Sequence, residues 1–143
     1  MARFTRHTKV RFEDCDSAGI VFYPNYILML NRVIEDWFSD ALDMPWGTMH
    51  CEHKLGCPTV SMQVDFKNAS RLDEILEWSL EVRRLRTRAF TLGVNVRCQG
   101  EERVSIETTL VMAQLAPEGI SSCEIPAGIR AKMQTYLMAP DAV

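Results

Sequence analysis

Asp14 and Asp16 flank a single cysteine, and Gly19 follows three residues after the second acid, just ahead of Tyr23-Pro24-Asn25-Tyr26. A carboxylate in such a loop can attack an electrophilic carbonyl or take a proton from water. The spacing is informative because the next segment reads as the start of a helix. Helix starts carry backbone N–H groups without intrahelical partners, and the positive end of the dipole. Both stabilise negative charge developing on a carbonyl oxygen. The combination suits chemistry on a polarised carbonyl.

The neighbouring patterns must position these groups. Lys9-Val10-Arg11-Phe12-Glu13 alternates polar with apolar, which predicts a half-buried strand. After the loop, Ile27-Leu28-Met29-Leu30, Val33-Ile34, Trp37-Phe38 and Ala41-Leu42 recur at three- and four-residue spacing, which predicts a helix with a broad apolar face. Pro24 suits the first helical position because its ring fixes φ and it lacks an N–H that would be orphaned there. Tyr23 is then the expected cap, and the amides of Tyr23, Asn25 and Tyr26 are candidate donors. Gly19 supplies positive φ or lets a ligand approach the backbone closely. An Asp near a helix start can also serve only as a cap for backbone N–H groups. Asp14, nearer the strand, is assigned a hydrogen bond that holds the loop. Cys15 has no His nearby to generate a thiolate, so packing is its expected role.

The run Asp14-Cys15-Asp16-Ser17-Ala18-Gly19-Ile20-Val21-Phe22-Tyr23-Pro24-Asn25-Tyr26 closely resembles the signature of the 4-hydroxybenzoyl-CoA thioesterase family of hotdog-fold acyl-CoA thioesterases, nearly unbroken over these positions. The resemblance implies a thioester hydrolase in which Asp16 attacks the thioester carbonyl or activates water. The backbone amide of Tyr23 would polarise that carbonyl, and no cofactor is expected. It also implies a homodimer or homotetramer that pairs its sheets and builds active sites at subunit boundaries. An aromatic acyl-CoA such as 4-hydroxybenzoyl-CoA fits the subgroup, with a short-chain aliphatic acyl-CoA or an acyl carrier protein thioester as alternatives. Two other readings are a non-catalytic acyl-CoA-binding hotdog protein and a hotdog dehydratase, the latter disfavoured because no His lies near the loop.

A CoA substrate brings phosphates to an acidic chain of net charge −3. Arg83-Arg84-Leu85-Arg86-Thr87-Arg88 can be a solvated hairpin rim. The resemblance instead places phosphate-binding side chains at the matching hairpin, most nearly Arg86 and Arg88. Where the family pattern can carry another base before the final helix, this chain reads Ile120-Ser121-Ser122-Cys123-Glu124. Phe22, Tyr23, Val60 and Met62 can border an acyl pocket or simply fill core. His50, Cys51, His53 and Cys57 lack the spacing of a zinc site, so no metal is expected and the segment reads as a mobile polar connection.

Elsewhere Val60, Met62, Val64 and Phe66 alternate with polar residues, then 67–73 reads as a loop. Leu76, Trp78, Leu80 and Val82, then Phe90 to Cys98, then Val104 to Met112 continue the alternation, with a turn at Gln99-Gly100-Glu101-Glu102. Pro126, Ile129, Met133 and Leu137 predict a closing helix. The expected order is β-α-β-β-β-β-α, with the last four strands as an antiparallel meander. A helix of about 18 residues spans about 27 Å, enough to lie across a sheet. An α+β class follows from the pattern; the hotdog fold, a long central helix wrapped by a twisted antiparallel sheet, is implied by the resemblance. The 143 residues, 47% of them hydrophobic, suit one domain over 1–143. Net negative charge argues against nucleic-acid binding. Arg3, Arg6, His7 and Lys9 lead into alternation rather than an apolar run, so neither a leader nor a membrane span is expected. Five cysteines without a C-x-x-C pair fit reduced thiols in a cytoplasm.

Overall fold

The alternating strands behave as their side chains require. The computed structural model describes residues 2–138; Met1 and 139–143, the ends of the expected domain, lie outside them. The strands β4 (Ile75–Leu85), β5 (Ala89–Cys98) and β6 (Glu101–Val111) are consecutive and antiparallel. Leu76, Trp78, Leu80 and Val82, with Phe90, Leu92, Val94 and Val96 and then Val104 and Ile106, are all buried in one core. The β5–β6 turn is Gln99-Gly100, with φ of +50° and +81°, the double left-handed conformation that joins antiparallel strands with the correct twist.

The helix α1 (Tyr23–Asp36) lays Tyr26, Met29, Leu30, Val33 and Ile34 into this core. It continues through a π turn, Trp37–Ala41, in which the Leu42 N–H donates to the Trp37 carbonyl at 3.0 Å. Widening this last turn lets Trp37, Phe38 and Leu42 all reach the interior, each no more than 2% exposed. Each large apolar side chain so buried contributes about 1.5–3 kcal/mol, so packing rather than intrinsic propensity holds the helix.

Four expectations change. The first strand, β1 (Phe4–Lys9), lies earlier than Lys9–Glu13 and pairs with β4. Val10 is fully buried, while Phe12–Asp14 form a single 3-10 turn that exposes Phe12 by 83%. The meander holds only for β4, β5 and β6, because β3 (Thr59–Phe66) pairs with β6 and the sheet order is β1-β4-β5-β6-β3. The 67–74 connection explains this crossover. The Lys67 and Asn68 amides donate to the Arg103 carbonyl at 2.8 and 3.2 Å, carrying the chain over the start of β6 toward β4.

Third, the alternation in β3 marks an edge rather than a covered face. Val60, Met62 and Phe66 are 60%, 37% and 52% exposed, and only Val64 packs against the core. Fourth, the segment expected to be a mobile polar connection holds α2 (Trp46–Cys51), with Met49 buried beneath it, and β2 (Leu55–Gly56). With β7 (Ala113–Ala116) and β8 (Gly119–Ser122), β2 forms a small second sheet. Strands this short, around Pro117-Glu118-Gly119, show no apolar alternation to betray them. The closing helix α3 (Ala127–Gln134) starts after Pro126 and buries Ile129 and Met133, with Leu137 beyond its end. An α+β hotdog layout results, with the long helix against one face of an antiparallel sheet.

Candidate active site

Residues 15–21 fold into a miniature hairpin. Cys15 and Val21 form an antiparallel bridge, the Asp16 N–H donates to the Ile20 carbonyl at 2.9 Å, and the Gly19 N–H returns to the Asp16 carbonyl at 3.0 Å. Asp16 Oδ1 accepts the Ala18 amide at 2.8 Å, which fixes the exposed carboxylate while leaving Oδ2 free of any hydrogen bond among the described residues. Gly19 has φ of +78°, and a Cβ there would meet nothing within 4 Å. Backbone conformation therefore requires this glycine, not crowding. Asp14 holds the loop together. Its Oδ2 accepts the Arg11 amide at 2.9 Å, and its carbonyl accepts the Phe22 amide and Asn25 Nδ2, both at 2.9 Å. Cys15 is half-buried against the core, and burial, then Asp14 and Asp16, raise its thiol pKa.

The helix begins one residue earlier than expected. Phe22 is the cap, Tyr23 the first helical residue and Pro24 the second. The Asn25 N–H donates to the Phe22 carbonyl at 2.8 Å, which removes it from the candidate donors. Tyr26 lies far enough inside the helix for a regular intrahelical bond. The Tyr23 amide has no such carbonyl behind it and meets no partner among the described residues. Of the three candidates it alone remains free.

Beside it opens a cavity of about 290 Å³. Ile20, Val21, Tyr23 and Tyr26 form one wall, and Phe66, Lys67, Asn68 and Ala69 form the other. The Phe66 ring lies 6.2 Å from that of Tyr23 and 6.0 Å from that of Tyr26, centroid to centroid. Gly19 and Phe22 adjoin this cavity in sequence without lining it; the Phe22 ring packs edge-on against Tyr23 instead. Val60 and Met62 lie farther along the free edge of β3, Val60 as an extra residue where the β3–β6 register shifts. Sequence spacing missed Phe66 and Tyr26 as wall residues because only the crossover of β3 brings them together.

A charged group lies behind the second wall. Arg103 Nη1 donates to Glu74 Oε1 at 2.7 Å, to the Ala69 carbonyl at 2.9 Å and to Ser70 Oγ at 3.4 Å, and Nη2 donates to Glu74 Oε2 at 3.1 Å. Its Nε lies 2.8 Å from Glu101 Oε1 but makes no hydrogen bond, so that contact is electrostatic. The Arg103 hydrogen bonds hold the Glu74 pKa down at about 2, and the same bonds raise that of Arg103. Burial raises the Tyr26 phenol pKa, an effect opposed by its hydrogen bond with Ser70.

The arginine run occupies the β4–β5 hairpin at the opposite end of the sheet. Arg83 and Arg84 are balanced by Glu81 and Glu107, with Arg84 Nη2 2.7 Å from Glu107 Oε1. Arg88 Nη1 donates only to Ser122, to its carbonyl at 3.1 Å and its Oγ at 3.3 Å. The Arg86 side chain meets no partner among the described residues and lines a cavity of about 220 Å³ with Arg84, Ala89, Thr91 and Thr109. Uncompensated charge thus sits on Arg86 and Arg88. Arg130 of α3, missed in the sequence, joins them by donating to the Arg86 carbonyl at 2.6 Å. Only docking of α3 on this hairpin makes it visible. Within one chain, the hairpin and Asp16 are not brought together: seven residues of β5, roughly 24 Å, separate Ala89 from Val96 near the cleft.

Among the described residues no group of three His, Cys, Asp or Glu side chains is arranged to hold a metal ion. His50 lies in α2, its Nδ1 2.7 Å from the Trp46 carbonyl. No helix among them is long and apolar enough to cross a membrane.

A helix laid on an antiparallel sheet, with an acid loop opening into the helix start, defines a class with known relatives. The sequence pattern of the thioesterase-like superfamily matches residues 10–133, and the chain belongs to that family. It is 32% identical over 92 residues to the 4-hydroxybenzoyl-CoA thioesterase of Pseudomonas sp. (strain CBS-3), a stretch covering 63% of this chain and 65%, just under two thirds, of the relative. The solved structure of 4-hydroxybenzoyl-CoA thioesterase from Pseudomonas sp. strain CBS-3 superposes with a TM-score of 0.85 at 25% identity, over 91% of this chain and 98% of the other. A gentisyl-coenzyme A thioesterase superposes with a TM-score of 0.81 at 28% identity, over 91% and 99%.

The Glu74–Arg103 pair gives stability a defined acid dependence. The folded-state carboxyl titrates at about 2, below its ordinary value of 4.5, so its contribution is fully present above the latter and lost as pH falls toward the former. Urea midpoints measured from pH 5 to 2 should fall more steeply for the wild type than for Glu74→Gln. Parallel curves for the two proteins would show that the pair has no such linkage.

Proposed function

We propose that this chain is an acyl-CoA thioesterase, acting as one domain over 1–143 and cleaving an aromatic acyl-CoA to the free acid and CoA. One observation carries the reading: an exposed carboxylate, Asp16, stands on a hairpin that leads straight into a helix whose first amide, that of Tyr23, has no partner among the described residues and belongs to a residue lining an aromatic-walled cavity. Asp16 acts as nucleophile or as general base. In the first course its carboxylate attacks the thioester carbon, the C–S bond breaks with departure of the CoA thiolate, and water hydrolyses the resulting anhydride. In the second it takes a proton from the water that attacks. A thiolate leaves readily, so neither course requires a strong acid at sulfur. The Tyr23 N–H and the α1 dipole stabilise the oxyanion, and a donor of this kind is worth about 3 kcal/mol.

Tyr23, Tyr26 and Phe66 favour an aromatic acyl group, as do the similar proteins, whose names specify 4-hydroxybenzoyl-CoA and gentisyl-coenzyme A. Gly19 shapes the Asp16 loop, and Phe22, Val60 and Met62 complete the acyl site where a second subunit covers the edge. That subunit also resolves the separation between acid and arginines. A two-fold axis pairing β3 with its own copy runs the strands antiparallel, bringing the Thr59 end, with Arg86 and Arg88, beside the Phe66 end of the other subunit. The free β3 edge with its exposed Val60, Met62 and Phe66 suits this dimer, and a tetramer is its further assembly. Arg86 and Arg88 then hold the CoA phosphates. Five free cysteines suit a cytoplasmic location.

Asp16→Asn should keep the fold and lower kcat at least about a hundredfold, because the amide retains shape but neither basicity nor nucleophilicity. Thiol release from benzoyl-CoA by a folded variant at the wild-type rate would remove Asp16 from the mechanism. Replacing Arg86 and Arg88 together by Ala should raise KM for acyl-CoA more than it lowers kcat, while an acyl-pantetheine, which has no nucleotide phosphates, should be indifferent. Equal KM effects on the two substrates would make these arginines hairpin supports. Sedimentation equilibrium at micromolar concentration should show at least a dimer of the 16.3 kDa chain, and a monomer alone would remove the shared site.

A further inference from the structure

Arg103 is unusual on its strand. The β5–β6 register passes from Val96 opposite Val104 to Arg97 opposite Glu102, leaving Arg103 as an unpaired bulge residue. Bulges re-aim side chains. Here the guanidinium turns off the sheet into the 67–74 loop and is 9% exposed, which is costly for a charge unless its donors are satisfied. Its hydrogen-bond acceptors are all on that loop, the Glu74 carboxylate, the Ala69 carbonyl and Ser70 Oγ, while Glu101 of its own strand adds an ion pair at Nε. The Arg103 carbonyl holds the same loop from its other end through the Lys67 and Asn68 amides. Glu74 Oε1 also accepts the Arg71 amide at 2.6 Å.

This loop is stitched in turn to the Asp16 hairpin. The Val21 N–H donates to the Ser70 carbonyl at 2.9 Å, the Leu72 N–H donates to the Gly19 carbonyl at 3.3 Å, and Ile20 bridges Arg71. Val21 is two residues from Tyr23. The cavity has Ile20, Val21 and Tyr23 on one wall and Lys67, Asn68 and Ala69 on the other, and Arg103 reaches both, the second directly and the first through Ser70.

We propose that the Arg103–Glu74 pair is the positioning device of this cleft, holding the 67–74 loop and, through the Ser70 carbonyl, the Gly19–Val21 turn at the spacing that aims the Tyr23 amide at the substrate carbonyl. The proposal rests on the polarising role given to that amide above. It assigns no contact with substrate to either residue. A misplacement of about 1 Å can cost about a hundredfold in rate, so the effect falls on kcat. Arg103→Met should lower kcat about 30- to 100-fold with KM changed less than about threefold, and Arg103→Lys, which keeps the charge and part of the bonding, should recover most of the loss.

A spectroscopic measurement separates positioning from plain stability. The probe is a benzoyl-CoA ketone analogue with methylene in place of the thioester sulfur and ¹³C at the carbonyl, bound to the full chain and read by infrared difference spectroscopy. On the wild type the carbonyl stretch should fall relative to the free analogue. In Arg103→Met, at a temperature where the variant is folded and saturated with analogue, the shift should shrink by half or more, and Arg103→Lys should restore it. Should Arg103→Met not fold, Glu74→Gln removes the charge of the pair while retaining an acceptor for the Arg71 amide, and the same loss of shift is expected. A full wild-type shift in a folded variant overturns the positioning role alone. Absence of any shift in the wild type overturns the polarising role of Tyr23 and this proposal with it.

Discussion

Burial of one face of α1 against the sheet is the constraint on which the other features depend. Leu30, Trp37 and Phe38 leave water almost completely, meeting Trp78, Leu80, Phe90 and Leu92 in the same core. A helix held this way cannot slide or rotate without exposing several large side chains, each worth about 1.5–3 kcal/mol. Its first turn is therefore fixed in space. This matters for the proposed role of the Tyr23 amide, because an oxyanion donor is useful only when its orientation is set before the substrate arrives.

At the N-terminal end of that helix apolar packing stops and polar backbone is left open. Phe22 offers no side-chain cap, Pro24 has no N–H, and the amide of Tyr23, a residue that lines the cleft, meets no partner among the described residues. A protein optimised only for stability would place Ser, Thr, Asp or Asn at such a cap. The acids lie on the loop just upstream instead, one bonded into the loop as Asp14 and one exposed as Asp16. Asp14 maintains the turn, whereas Asp16 keeps one oxygen free of hydrogen bonds among the described residues, as the proposed mechanism needs.

The charges follow the same economy. Arg83, Arg84 and Arg103 are each matched by glutamates, whereas Arg86 and Arg88 keep their charge available at the hairpin. The chain is acidic overall, so a basic site on it must be local. The arginine hairpin and the Asp16 loop lie at opposite ends of the sheet, so the function proposed above needs a second subunit to bring them together. The exposed apolar edge of β3 lies between them.

Local order decided what the sequence could disclose. Period-two alternation in Leu76 to Val82, Phe90 to Cys98 and Val104 to Met112 specified three strands and their buried face, and the spacing from Ile27 to Leu42 specified the helix, because both patterns reflect contacts that repeat along the chain. The run from Asp14 to Tyr26 disclosed the acid loop for the same reason: carboxylate, glycine and helix start are sequence neighbours. Tertiary structure alone decided the rest. Whether β3 joined β4 or β6 depended on a connection held by the Arg103 carbonyl, and alternation is equally compatible with either partner. That choice placed Phe66 against Tyr23 and Tyr26 and left Val60 and Met62 on an open edge. Arg103 itself reads in the sequence as one more charged residue in a strand; a register shift of one residue turns it inward, and no local pattern encodes which residue of a pair will bulge.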